Sequence, residues 1–162
     1  MSTQDCKTGK NSTSLLRGHR EQLGGRCMTQ FATYFSPEEF ACSHCGSMGI
    51  KETFVKQLDT LRHSFGNPLV ITSGYRCAEH PIEKAKKNGP GSHSTGFAAD
   101  ILISRKNAYE LMGLVLDGYW KAPIARKWHF TGIGINQKGS DRFIHLDSLS
   151  EKEGFRPTIW SY

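Results

Sequence analysis

The chain has 162 residues and a mass of 18.1 kDa, the size of one ordinary domain, which excludes a multidomain assembly. With 37% hydrophobic, 10% aromatic and 22% charged residues, it has enough apolar material for a packed core and is neither collagenous nor wholly disordered. The net charge of +6, from 21 Lys and Arg against 15 Asp and Glu, favours an anionic partner such as nucleic acid, a membrane surface or a cell-wall polymer, without choosing among them.

No apolar run approaches the roughly 20 residues that cross a bilayer, and the N-terminus lacks the apolar core of a signal peptide. Neither membrane insertion nor standard export is therefore expected. The five cysteines, Cys6, Cys27, Cys42, Cys45 and Cys77, are odd in number and irregularly spaced, in a chain long enough to fold without disulfides. A reducing compartment of synthesis follows.

Residues 1–34 read as a flexible basic leader. They are rich in Ser, Thr, Gly and Gln, and Lys7, Lys10, Arg17, Arg20 and Arg26 face only Asp5 and Glu21, half of the net excess. Such a leader suits an anionic polymer, although an unstructured extension is the simpler reading of the same composition. Met28 offers an internal start. Order is expected from residue 35 onward. At Ser36-Pro37-Glu38-Glu39, an N-cap serine, a first-turn proline and a glutamate three residues on form a capping box. Ile50, Phe54, Leu58, Leu61 and Phe65 recur at helical spacing, and Gly66, Asn67 and Pro68 end that helix.

Leu69-Val70-Ile71-Thr72 is a β-branched run leading into Ser73-Gly74-Tyr75-Arg76, followed by a long polar loop that delivers His93. Ala98 to Ile103 reads as a buried strand. Ser104 then caps a helix with the apolar face Ala108, Leu111, Met112, Val115 and Tyr119. Strands are expected again at Gly132 to Ile135 and Phe143 to Asp147. No internal repeat appears.

The chemistry concentrates in two of these segments. In Gly91-Ser92-His93-Ser94-Thr95-Gly96-Phe97-Ala98-Ala99-Asp100, an imidazole precedes a carboxylate by seven residues, with a glycine between them to let the chain bend. Strand parity puts Ala99, Ile101 and Ile103 on one face and leaves Asp100 on the other beside Ala98 and Leu102. An ionised carboxylate among apolar neighbours needs a partner, because burying it unpaired costs roughly several kcal/mol; a cation or a hydrogen-bonded loop would serve. Arg142-Phe143-Ile144-His145-Leu146-Asp147 repeats the logic, with Ile144 and Leu146 inward and Phe143, His145 and Asp147 opposite. His93, Asp100 and His145 thus form a candidate site of three protein ligands with a position left for water, as catalytic Zn²⁺ requires.

The order Glu39-Phe40, Cys42, Cys45-Gly46, then Ser73-Gly74-Tyr75-Arg76, then Ser92-His93, Gly96, Ala98 and Asp100, then Gly132, Gly134 and Phe143-Ile144-His145-Leu146-Asp147 resembles the D-alanyl-D-alanine carboxypeptidase type of zinc peptidases. These include peptidoglycan carboxypeptidases and many phage endolysins, with the hedgehog signalling domain as a fold relative. The resemblance runs from about Phe35 to Trp160. It implies a small α+β domain with an antiparallel sheet flanked by helices, and a zinc ion on His93, Asp100 and His145. It further implies a substrate in the stem peptides of bacterial peptidoglycan. Arg76 is then the candidate for steadying charge on the reacting carbonyl, and Arg76, Ser92 and Tyr75 are the candidate substrate contacts.

The sequence departs from the pattern at the base. Many relatives carry an acid three residues before the last histidine ligand, where this chain has Arg142. Along an extended strand Asp147 lies about 6.6 Å from His145 on the same face, and Asp141 about 13 Å away. Asp147 is the favoured base and Asp141 the second candidate, but Asp147 would equally serve to orient a ligand imidazole.

Other residues carry weaker signals. Cys42-Ser43-His44-Cys45 has the spacing of half a structural zinc site, which Cys27, Cys77 or His80 would have to complete; partly buried reduced thiols are the favoured reading. His63, His80 and His129 are expected in solvated or packing roles and His19 in the leader. Tyr75, Trp128 and Trp160 either line the cleft or belong to the core.

These features lead to an expected monomeric zinc peptidase, a D-Ala-D-Ala carboxypeptidase or L-Ala-D-Glu type endopeptidase. A phage or prophage lysis enzyme made in the bacterial cytoplasm suits a short basic chain. The alternative is a non-catalytic, zinc-stabilised wall-binding or virion module. Nucleic-acid binding has only the leader's charge behind it and is not expected.

Overall fold

The computed structural model describes residues 32–120 and 128–162. Most of the predicted leader, with Cys6, His19 and Cys27, lies outside the described residues. Its last residues do not: the backbone N–H groups of Thr33 and Tyr34 donate to the Asp59 carboxylate, Tyr34 at 2.8 Å.

A 3₁₀ turn over Pro37–Phe40 follows Ser36, whose N–H donates to Glu39 Oε1 at 2.9 Å in the reciprocal half of the capping box. Helix α1 (Glu52–Phe65) buries Phe54, Val55, Leu58 and Leu61 and ends at Gly66, which has φ 71°. That left-handed position is open to glycine at little cost, and Pro68 prevents continuation. Each fully buried Phe or Leu of this stripe contributes roughly 1.5–3 kcal/mol. Helix α4 (Arg105–Trp120) presents Ala108, Leu111 and Val115 to the same core. The one-turn helices α2 (Pro81–Lys84) and α3 (Ser92–Thr95) interrupt the predicted polar loop.

Five strands, β1 (Val70–Ser73), β2 (Ala98–Leu102), β3 (Gly132–Asn136), β4 (Phe143–Asp147) and β5 (Thr158–Ser161), form one sheet in the order β1-β2-β4-β3-β5. The fold is α+β, as expected. All neighbours are antiparallel except β5, which lies parallel to β3. Strand β5 has no hairpin turn to announce it, since a parallel neighbour is reached by a longer connection.

The two faces of the sheet have opposite chemistry. Ala99, Ile101, Ile133, Ile144 and Leu146 point into the core with the apolar stripes of α1 and α4. This alternation pins the register, since a slip by one residue would expel the apolar set and bury the polar one. Among the described residues no helix is long and apolar enough to cross a membrane.

Candidate active site

The polar face is organised by register. Ser73 pairs with Asp100, Asp100 with His145, His145 with Gly134, and Gly134 with Trp160, so one row crosses all five strands. Asp147 lies one pleat along on β4, opposite Ala98 on β2 and Gly132 on β3. The two glycines make room. A Cβ at Gly132 would collide with the Asp147 carboxylate, and one at Gly134 with the rings of Trp160 and Tyr162.

His93 reaches this face from α3. The helix stops after one turn at Gly96 (φ 80°), where a side chain would strike the Gly49 carbonyl, and Lys51 N–H donates to Gly96 O at 2.9 Å. His93 Nδ1 donates to Gly74 O at 2.6 Å. That bond fixes the tautomer and leaves Nε2 as a lone pair directed at the cluster.

Three donor atoms converge. His93 Nε2 lies 3.2 Å from Asp100 Oδ1 and 3.2 Å from His145 Nδ1, and His145 Nδ1 lies 2.8 Å from Asp100 Oδ1. Donors at about 2.0–2.1 Å from a tetrahedral zinc stand about 3.3 Å apart, so the set fits one ion. The charges agree. The unprotonated Nε2 of His93 faces a carboxylate oxygen, an arrangement of acceptors that a cation between them relieves. All three side chains are buried.

Burial pushes the His93 imidazole down, and the Asp100 carboxylate only partly offsets it. Burial would raise Asp100, but the neighbouring His145 and His93 imidazoles outweigh it and hold the carboxyl well below the usual range. For His145 the burial penalty is overcome by Asp100 and Asp147, and the imidazole is pushed up. Asp147, also buried, is kept low by His145 and Arg156.

Asp147 sits behind His145. Its Oδ2 is 3.3 Å from His145 Nε2, the nitrogen directed away from the other two donors. Oδ1 accepts from Arg156 Nε at 2.8 Å and from Leu149 N–H at 3.3 Å, and Arg156 Nη2 donates to Oδ2. Both oxygens are thus engaged. Asp141 is exposed in the turn before β4, where Ser140 Oγ donates to it at 3.1 Å; none of the hydrogen bonds within the cluster reaches it. Arg142, three residues before His145, donates to Gly139 O at 3.0 Å.

Arg76 approaches from the end of β1. Nη2 donates to Asp100 Oδ2 at 2.8 Å, Nε to Ser73 Oγ at 2.9 Å, and Nη1 stands 3.5 Å from Glu83 Oε1. Glu83, on α2 and 1% exposed, also accepts from Gly91 N–H at 2.6 Å and Lys86 Nζ at 2.7 Å. It ties Arg76 to the loop that carries His93. Burial alone would raise this carboxyl, yet Lys86, the Gly91 N–H and Arg76 hold it below the ordinary value.

The remaining candidates separate. Ser92 Oγ is 3.3 Å from His145 Nε2. The Tyr75 ring lies over Gly49, where a Cβ would overlap it. The Trp160 ring centroid is 5.2 Å from that of His145, and Tyr162 packs beside Trp160 at 6.2 Å. Trp128 is a core residue against Gly118. His80 caps α2, accepting from Ile82 N–H at 3.2 Å, and His63 bonds the Tyr34 hydroxyl at 2.8 Å. His129 stacks on Tyr119. Glu83, Arg156 and Tyr162 are site residues that the sequence reading did not single out.

None of the curated proteins matches the chain. A family match covers more than half of it: residues 33–147 fit Peptidase M15, a span that includes His93, Asp100, His145, Asp147 and Arg76. The metal-ligating geometry of the buried His-Asp-His cluster is what a metallopeptidase of that kind requires, and the chain belongs to the Peptidase M15 family.

Proposed function

We propose that this peptidase is a zinc enzyme that hydrolyses peptide bonds in the stem peptides of bacterial peptidoglycan, as a D-Ala-D-Ala carboxypeptidase or an L-Ala-D-Glu type endopeptidase. The observation that carries the zinc reading is the convergence of His93 Nε2, Asp100 Oδ1 and His145 Nδ1 within 2.8–3.2 Å of one another. Two imidazoles and one carboxylate are a donor set suited to zinc with a position left for water. A zinc ion held there supplies a Lewis acid for the scissile carbonyl and brings the pKa of a bound water towards about 7.

The protein's own groups do the rest. Gly74 O holds the His93 ring through Nδ1, and Asp147 accepts the Nε2 proton of His145, so both ligand rings keep their lone pairs on the cluster. Asp147 is in this reading an orienting residue rather than the base. Arg76 holds Asp100 and, with Nη1 only loosely engaged at 3.5 Å, offers an N–H to negative charge developing on the substrate. Ser92 stands at the rim of the cluster for a substrate polar group, and Tyr75, Trp160 and Tyr162 supply walls for the stem peptide. A phage or prophage lysis enzyme acting on the wall as a monomer is the setting that fits this chemistry, with no nucleic-acid partner.

A second reading has one observation in its favour. Among the described residues, no acid of the site keeps an unengaged oxygen, since Asp147 is taken by Arg156, Leu149 and His145. A zinc-stabilised wall-binding module would need no base. Incubating the purified protein with peptidoglycan sacculi, with and without chelator and zinc re-addition, separates the readings. Mass analysis of the released muropeptides identifies the bond. Zinc-dependent cleavage is the expected result; binding to sacculi without any cleavage would overturn the enzyme reading.

A further inference from the structure

A second cluster of potential ligands lies outside the site described above. The Sγ atoms of Cys42, Cys45 and Cys77 all fall within 4.8 Å of one another. Cys42 and Cys45 flank a tight turn: Gly46 N–H donates to Cys42 O at 2.7 Å, Cys42 N–H donates to Ser47 O at 3.0 Å, and Gly46 takes φ 71°. Glycine is the residue that makes this reversal without steric cost. Cys77 arrives from the far side, directly after Arg76, and its backbone N–H donates to Cys42 Sγ at 3.3 Å. His44 Nδ1 stands 3.5 Å from Cys77 Sγ. Nitrogen and sulfur ligands at about 2.0 and 2.3 Å from a tetrahedral zinc are about 3.6 Å apart, which that separation matches.

We propose that Cys42, Cys45 and Cys77 bind a second, structural zinc ion, with His44 completing the coordination. A disulfide would use two of the sulfurs and strand the third, whereas one soft divalent ion uses all three. The Cys77 N–H aimed at the Cys42 sulfur favours the thiolate that such an ion needs. His80 is not a ligand, because its Nδ1 accepts from Ile82 N–H and its Nε2 meets Ser43 Oγ at 3.2 Å.

The site joins two parts of the chain that also meet at Tyr75, whose N–H donates to Phe40 O at 2.9 Å, and at Ser43, whose Oγ lies 3.2 Å from His80 Nε2. It therefore pins the segment carrying Arg76 to the turn after the first 3₁₀ element. The ion acts as a staple for the loop and takes no part in hydrolysis.

The test uses the full-length protein purified under reducing conditions. Metal analysis is expected to give two zinc equivalents per chain. Cobalt substitution is expected to give the near-ultraviolet thiolate-to-metal charge-transfer band, which the nitrogen and oxygen donors of the other site cannot produce. Cys45→Ser and Cys77→Ser should each lose one equivalent together with the band. His145→Ala should lose one equivalent and keep the band, and His44→Ala should weaken cobalt binding without removing the band. Cys45 is exposed, so its serine variant, checked by far-ultraviolet circular dichroism, carries the test if Cys77→Ser fails to fold. A single equivalent lost in His145→Ala with no charge-transfer band would overturn the proposal. So would a band that survives both cysteine variants or depends on Cys6 or Cys27.

Discussion

Arg156 and Asp147 form a two-pronged ion pair on the polar face of the sheet, Nε to Oδ1 at 2.8 Å and Nη2 to Oδ2, with the carboxylate fully buried and in contact with His145. The guanidinium lies over Trp160, 5.6 Å from the ring centroid. A ligand histidine is thus backed by an acid, the acid by an arginine, and the arginine by an aromatic ring.

Breaking this chain from the back should therefore reach its front. Arg156→Ala leaves the Asp147 charge buried without its main partner, and it is expected to lower stability by about 3–5 kcal/mol. Urea denaturation of the metal-loaded protein measures the loss. Asp147→Asn keeps the shape but weakens the hold on His145 Nε2, so zinc affinity should fall by roughly 10- to 100-fold. Competition with a chromophoric chelator reads that change. Unaltered zinc affinity together with lost turnover would instead make Asp147 a proton-transfer group.

His145→Ala removes one of the three converging donors. The variant is expected to lose the zinc of this site and all detectable cleavage of sacculi, and a chelator should do the same to the wild type. Inductively coupled plasma mass spectrometry and a turbidity assay follow the two losses. Full activity in a variant that has lost the zinc equivalent of this site would contradict the assignment.

Arg76→Ala should retain a folded protein but reduce turnover by about 10²- to 10³-fold, the effect typical of losing a group aimed at developing negative charge. Arg76→Lys keeps the charge without the fork that spans Asp100, Ser73 and Glu83, so it should recover only part of the rate. Steady-state kinetics on a stem-peptide substrate compares the three proteins.

Glu83 carries a pH dependence whose sign follows from its lowered folded-state pKa. Because the folded protein binds the Glu83 proton less readily than the unfolded chain, its stabilising contribution is complete above the ordinary carboxylate value. It is lost as pH falls through the lower folded value. Glu83→Gln should be less stable than the wild type near neutral pH, and the gap should close on acidification below about pH 4. Denaturation midpoints across that range provide the comparison; a constant gap would remove Glu83 as the titrating group.

Strand parity makes much of the site legible in the sequence itself. The period of two in Ala98 to Ile103 and Phe143 to Asp147 is strict, so placing Ile101 and Ile144 in the core puts Asp100 and His145 on the opposite face. The helix stripes were equally plain, as Phe54, Leu58 and Leu61 mark the buried side of α1. The missed residues lack such periodicity. Glu83 sits in a polar stretch where an acid is normally solvated, and only the Gly91 N–H, Lys86 and Arg76 around it reveal its burial. Arg156 follows an irregular connection, and β5, with Trp160, is a four-residue strand paired in parallel, without a hairpin to signal it. The Cys42 and Cys45 spacing was visible, but only the path of the chain brings Cys77 to them.

Gly132 and Gly134 give β3 a blank stretch on its polar side, and the Asp147 carboxylate and the Trp160 indole lie across it. Neither glycine has a side-chain atom to offer a metal or a substrate, yet a single methyl group at either would displace a neighbour that orients His145 or lies beside it. In a saturation scan of this protein, two of the least tolerant positions are therefore expected to be ones without a side chain, and their intolerance will report geometry, not chemistry.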